Sequence, residues 1–275
     1  ISVRDGCEFV FDVASKLPVH TFCELVGVPA DLRDRVVECG NAMADVEMRD
    51  QLSFDPREGL ASISRALTEK LRREPDDSLM SAIVNDPDLA LEQNQIDHFF
   101  QVFAIAGHET TRSTAAHFIN LMSQYPEQYA LLLSDVDKHL ENAIEEVLRF
   151  TSTTTNFRRT ATCDTDIGGC PVKRGDKLIL SYAAANRDPS VFNDPHRFDI
   201  TRENARKHLA FGTGPHVCTG ARLARLQLRA LLRQLVTRLP DIHPIGEPQW
   251  LRSIWFNAII NMPVGYTRRD VASSQ

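Results

Sequence analysis

Phe211-Gly212-Thr213-Gly214-Pro215-His216-Val217-Cys218-Thr219-Gly220 puts three glycines, a histidine and a cysteine into ten residues. It opens directly into a helical pattern that runs from Thr219 to about Leu239. With glycine at roughly 7% of ordinary sequence, that spacing is rare by chance. Glycines let a backbone turn tightly and approach a flat ligand. Cys218 stands near a helix N-terminus, where free amides and the helix dipole favour thiolate over thiol. A thiolate cradled by amides is what an iron ligand requires. A lone cysteine is more often a buried structural residue, but that leaves the glycines unexplained. A phosphate loop needs Gly-Lys-Ser/Thr, and a zinc site needs further cysteines at short spacing. The sequence has neither.

Upstream, the first half of the chain reads as helices. Leu17 to Val26 puts Leu17, Phe22, Leu25 and Val26 close to one face and stops at Gly27-Val28-Pro29. Further helices are expected over Asp31–Ala44, Arg57–Arg73, Glu127–Leu133 and Asp137–Phe150. The longest pattern, Leu91 to Ser123, would reach about 50 Å. Its middle, Phe99 to Gly107, is almost wholly apolar, which predicts burial through a domain centre. Ala106-Gly107-His108-Glu109-Thr110-Thr111 then interrupts it with an acid, a histidine and two hydroxyls. Polar groups in a buried stretch need partners or a task. Thr110 can bond the carbonyl one turn back, which loosens a helix. Glu109 can pair with Arg112 or serve a proton route beside Thr110. A zinc-protease reading fails because Arg112 stands where its second histidine belongs. After Phe150 the chain changes character. Phe157 to Leu180 reads as short strands and hairpins, and Asn186 to Lys207 has no periodicity.

The loop at 211–220 resembles the haem-binding loop of the cytochromes P450, Phe-Gly-x-Gly-x-His-x-Cys-x-Gly. Ala106-Gly107-His108-Glu109-Thr110-Thr111 resembles the oxygen-activation motif of the same family. The resemblance implies a mainly α fold with small β-sheets, lacking the family's N-terminal part. The single incomplete domain, 1–275, would comprise a helical part about 1–150 and a β-rich and meander part about 151–210. The haem loop, long helix and C-terminal hairpin region would fill 211–275. Haem b is the implied cofactor, with Cys218 as iron ligand and His216 and Arg159 at the propionates. Phe211, Gly212, Gly220, Ala106 and Gly107 would lie against the haem. Thr219 departs from the apolar residue usual beside the cysteine. Glu109 and Thr110 become the catalytic acid–alcohol pair. Glu146, Arg149 and Arg197 become a structural triad. Phe99, Val102, Phe103, Thr154 and Phe256 would line the substrate pocket.

The implied reaction is insertion of one oxygen atom of dioxygen into a C–H bond of an apolar small molecule, of lipid, sterol or terpenoid type. Electrons would come from a ferredoxin-like donor with an NAD(P)H-dependent reductase. A peroxide-driven enzyme is disfavoured by the Glu109-Thr110 pair. The other reading is a catalytically inactive haem-binding fragment, because the roofing loop and a propionate-contacting helix of the family have no counterpart here. Composition fits an ordinary soluble globular chain: 275 residues, 43% hydrophobic, 25% charged. A net charge of −6 argues against a nucleic-acid partner. The six scattered cysteines fit a reducing cytoplasm, and no apolar run suggests a membrane span. Arg202, Arg206, Lys207, Arg222, Arg225 and Arg229 cluster near the cysteine and suggest a docking face for an acidic electron donor.

Overall fold

The computed structural model describes residues 5–44, 50 and 52–267. The fold is mainly helical with small antiparallel sheets. Helix α1 (Lys16–Val26) closes at Gly27, whose φ of 85° suits a residue without a Cβ. Helix α2 (Arg33–Ala44) follows a short 3₁₀ turn, Ala30–Leu32. Helix α3 (Pro56–Arg73) begins as its sequence dictates, with proline in the first turn and the Asp55 side chain accepting from the Arg57 N–H. A short α4 (Leu79–Asn85), capped by Ser78, was not legible as a helix. The central helix α5 spans Gln93–Gln124, and at its start Gln95 Oε1 accepts the Glu92 N–H at 2.9 Å. Helices α6 (Pro126–Ser134) and α7 (Val136–Thr151) lead to the strand region.

There β2 (Asn156–Thr160) pairs with β5 (Lys177–Ser181), enclosing a hairpin of β3 (Thr165–Ile167) and β4 (Cys170–Val172). The first strand, β1 (Gly6–Glu8), joins β9 (Pro263–Gly265) and β6 (His243–Pro244), so the two ends of the described chain share one sheet. β7 (Gln249–Trp250) pairs with β8 (Ile259–Asn261). One helical turn, α8 (Tyr182–Ala185), precedes the irregular 186–207 segment, and α9 (Ala221–Arg238) follows the cysteine loop.

Two large apolar clusters hold the described fold, beside a small one of Leu251, Phe256 and Ala258, and α5 belongs to both large ones. Its N-terminal half, including Ile96, Phe100 and Ala104, packs with α1, α2 and α3. Its C-terminal half, including Ala115, Phe118 and Ile119, packs with α7 and α9. The expected burial of Phe99 to Gly107 needs correction. Val102, Ala106 and Gly107 are exposed, and the stretch enclosed on all sides is Thr111 to Met122. The physical reason is that one flank of the apolar run faces a cavity rather than core.

His117 sits in that enclosed stretch. Its Nε2 donates to the Asn257 carbonyl at 2.9 Å, and its ring lies 5.5 Å from Trp250. Burial pushes its pKa down to about 4, against the raising effect of the Asn257 bond. Burial and the Arg112 charge push His108 down to about 3. A depressed histidine pKa means the unfolded chain takes up protons first as pH falls. Stability is therefore lost from about pH 6.5 downward, at up to roughly 1.4 kcal/mol per pH unit for each group. Melting temperatures between pH 7 and pH 4.5 should fall accordingly, and His117→Gln should flatten the slope. An unchanged slope would remove His117 from the cause.

Candidate active site

The cysteine loop is built as its glycines allow. Gly212 and Gly214 have φ of 68° and 67°. A Cβ on Gly212 would stand 3.1 Å from Tyr182 Oη and 3.3 Å from the His216 carbonyl. Gly214–His216 forms a 3₁₀ turn, closed by the Val217 N–H on the Gly214 carbonyl at 3.0 Å. The Cys218 N–H donates to the Phe211 carbonyl at 2.8 Å, tying the loop's ends together. Gly220 caps α9, whose Ala224 N–H reaches the Gly220 carbonyl at 2.8 Å. The result is an exposed Cys218 side chain one turn before a helix start.

Cys218 opens onto a cavity of about 520 Å³. Phe211, Gly212, His216 and Gly220 line it on the loop side, and Ala106, Gly107 and Thr110 on the α5 side. Thr110 Oγ donates to the Ala106 carbonyl at 2.8 Å, leaving its lone pairs toward the cavity. Arg159 of β2 lines the wall and its neighbour Arg158 does not. Val102, Phe103 and Thr154 line the cavity. Pro18, Phe22 and Leu25 of α1, with Phe157, Tyr182 and Leu223, complete the walls and were not anticipated. Phe22 and Leu25 belong to the apolar face that the sequence shows on α1, and Pro18, one turn before Phe22, extends that face to the cavity.

Three expected site residues lie elsewhere. Phe99 stacks on Phe103 at 4.7 Å and packs with the N-terminal cluster, outside the cavity lining. Phe256 is buried with Leu251 and Ala258. Glu109 points away from the cavity, into the α2–α5 interface. Its carboxylate accepts from Arg112 and, at 3.0 Å, from Ser113 Oγ, while Arg112 also donates to Asn41 Oδ1 at 2.8 Å. One helical step, about 100° of rotation, separates Glu109 from Thr110 and puts them on different flanks.

The triad also needs correction. Glu146 and Arg149 pair as expected, Nε to Oε2 at 2.7 Å, both fully buried. The third member is Arg202, whose Nε reaches Glu146 at 3.2 Å. The Arg197 side chain is 63% exposed and faces Asp199; only its carbonyl takes part, accepting from Arg149 and Arg202.

Residues 56–240 match the cytochrome P450 family model. The chain belongs to the cytochrome P450 family. It is 33% identical over 97% of its length to a steroid C26-monooxygenase of Mycolicibacterium smegmatis, covering 63% of that protein. It is 36% identical over 90% of its length to a putative cytochrome P450 126 of Mycobacterium tuberculosis, covering 62% of it. Among solved structures, the Mycobacterium marinum cytochrome P450 CYP268A2 in complex with pseudoionone superposes with a TM-score of 0.87 at 34% identity. That match covers 95% of this chain and 65% of the other. This P450 chain thus spans less than two thirds of these relatives.

The family implies a haem cofactor, and the residues present fit one. A thiol opens into a largely apolar cavity, with glycines at 107, 212 and 220 along its walls and Arg159 and His216 among its polar groups. The basic cluster of this P450 is not a free face. Arg202 is buried against Glu146, and Arg225 reaches Glu145 at 2.6 Å. Arg229 and Arg206 reach Glu141 at 2.7 and 3.4 Å. Among the described residues only Lys207 and Arg222 of that set lack an ion pair. Acidic residues of α7 neutralise the rest. Among the described residues, no helix is long and apolar enough to cross a membrane.

Proposed function

We propose that the protein containing this chain is a haem b monooxygenase acting on an apolar small molecule of moderate size. Its electrons come from a separate ferredoxin-like donor with an NAD(P)H-dependent reductase, in the cytoplasm. The observation that carries this reading is that the Cys218 thiol and the Thr110 hydroxyl line one mainly apolar cavity. Haem, when bound, supplies the reduction of dioxygen and the transfer of one oxygen atom to a C–H bond, the other leaving as water. Cys218 would hold the iron as a thiolate, and Arg159 and His216 would meet the propionates. Val102, Phe103, Phe22 and Leu25 exclude water and give a substrate shape without charge. The relative named for steroid C26 and the neighbour bound to pseudoionone support an apolar substrate class. Soret-band titration with steroids and other apolar compounds tests it; charged ligands binding better than these would overturn it.

Thr110 is the group that holds a proton at the reaction. Its Oγ–H donates to the Ala106 carbonyl, so its oxygen is free to accept from a bound molecule in the cavity. Glu109 acts instead as an anchor of α5 on α2 through Arg112. Thr110→Ala should leave haem content unchanged and lower the product formed per nicotinamide consumed, by roughly tenfold or more, as for loss of a positioned proton group. Unchanged coupling would leave Thr110 as a helix-packing hydroxyl.

A further inference from the structure

Outside the cavity lining, beside the cysteine loop, Glu145 gathers His208 and Arg225, and these two meet one aromatic ring. Glu145 of α7 is 2% exposed in its side chain. It takes Arg225 in a fork, Nε to Oε1 at 2.6 Å and Nη2 to Oε2 at 2.9 Å. It also takes His208 Nε2 on Oε2 at 3.0 Å. His208 Nδ1 accepts the Ala210 N–H at 3.1 Å, so the geometry assigns the imidazole proton to Nε2. Arg206 approaches the same carboxylate at 3.9 Å from solvent.

Both partners of Glu145 touch Phe211. The Arg225 guanidinium lies 4.5 Å from the ring centroid, and the His208 ring 5.7 Å from it at an angle of 46°. Phe211 in turn holds the cysteine, since its carbonyl accepts the Cys218 N–H. We propose that Glu145, His208 and Arg225 are positioning residues that clamp Phe211 and thereby fix the Cys218 loop, setting how far the sulfur is shielded from water. The inference rests on the reading of Cys218 as axial ligand.

The chemistry favours one arrangement. A single carboxylate can satisfy a planar fork and an imidazole N–H together only if both its oxygens are ionised acceptors. Burial alone would raise the Glu145 pKa, but the bonds from His208 and Arg225 and the Arg225 charge outweigh that and hold it at about 2. The carboxylate is therefore charged across the physiological range. The planar guanidinium that forks onto it also lies over the Phe211 ring, which a lysine ammonium cannot imitate. The pairing thus fixes a ring orientation, not merely a local charge.

Two substitutions separate position from charge, measured in the haem-loaded protein. Glu145→Gln keeps the shape but removes the charge and one acceptor. Arg225→Lys keeps the charge but loses the fork and the stacking. Both should speed amide exchange in the 209–220 peptide by roughly tenfold, with peptides of α5 unchanged. Both should also raise the haem reduction potential, because water gains access to the sulfur. The red-shifted ferrous carbonyl band should persist in each, and its absence from the parent protein would overturn the Cys218 reading itself. Loop exchange unchanged in Arg225→Lys would overturn the clamp, as would a potential that moves only in Glu145→Gln, which is a charge effect. Faster exchange throughout the protein would make the triad a general stabiliser and overturn it too. If Glu145→Gln fails to fold, Arg225→Lys decides alone, since that side chain is 35% exposed.

Discussion

Replacing Cys218 by serine should abolish the red-shifted Soret band of the ferrous carbonyl in the haem-loaded protein. The band reports electron donation from a thiolate to the iron, and a serine hydroxyl stays protonated and donates weakly near neutral pH. The substitution is close to isosteric. The Cys218 N–H on the Phe211 carbonyl, the glycine turns and the α9 cap are backbone features that serine retains. Haem-free melting should therefore change little, within about 0.5 kcal/mol. The expected pairing is a conserved fold with lost thiolate ligation and lost turnover. Retention of the band in Cys218→Ser would remove this cysteine from the iron. Among the described residues the other exposed cysteines, Cys163 and Cys170, belong to the β3–β4 hairpin region. Neither lines the cavity.

The cysteine loop was legible because its chemistry is local: glycine conformations, a helix start and a cysteine within ten residues decide it. Helix α5 was legible for the same reason, and its bounds, Gln93–Gln124, lie within two residues of those the hydrophobic pattern gave. What sequence could not assign was which flank of an element faces what. Glu109 and Thr110 are adjacent in the chain, yet one meets Arg112 in the interface and the other lines the cavity. The apolar run 99–107 could equally face core or ligand, since both are oily. Phe256 sits in a tail without periodicity, where only the bridge with Thr154 sets its direction. The basic cluster misled because its partners Glu141 and Glu145 lie on a helix more than sixty residues earlier, and pairing at that separation is a property of the fold.

Removing the Glu146 carboxylate should do the greatest damage to the structure itself. Glu146 is fully buried, accepts Arg149 through two bonds at 2.7 and 2.8 Å, and accepts Arg202 at 3.2 Å. It also takes the Asp199 N–H at 3.1 Å. The two guanidiniums then turn outward to the backbone. Arg149 donates to the carbonyls of Asn186 and Pro195, and Arg202 to those of Asn193, Asp194 and Arg197. This is how a segment without periodicity acquires one conformation, including Asp194 at a φ of 46°. Glu146→Ala would leave two buried cations facing each other. Breaking a buried pair costs about 3–5 kcal/mol. A domain has roughly 5–15 kcal/mol to lose. The expected outcome is an insoluble or haem-free protein. Arg202→Ala should lose stability in the same range, because it strips Glu146 of one partner and the Asn193 and Asp194 carbonyls of their donor. Arg197→Ala should cost no more than about 0.5 kcal/mol, since its exposed side chain contributes nothing to the network that its carbonyl does not. Chemical denaturation of the three variants checks the ranking. Arg197→Ala as damaging as Arg202→Ala would return Arg197 to the triad, and a stable, haem-loaded Glu146→Ala with altered kinetics would move Glu146 from structure to chemistry.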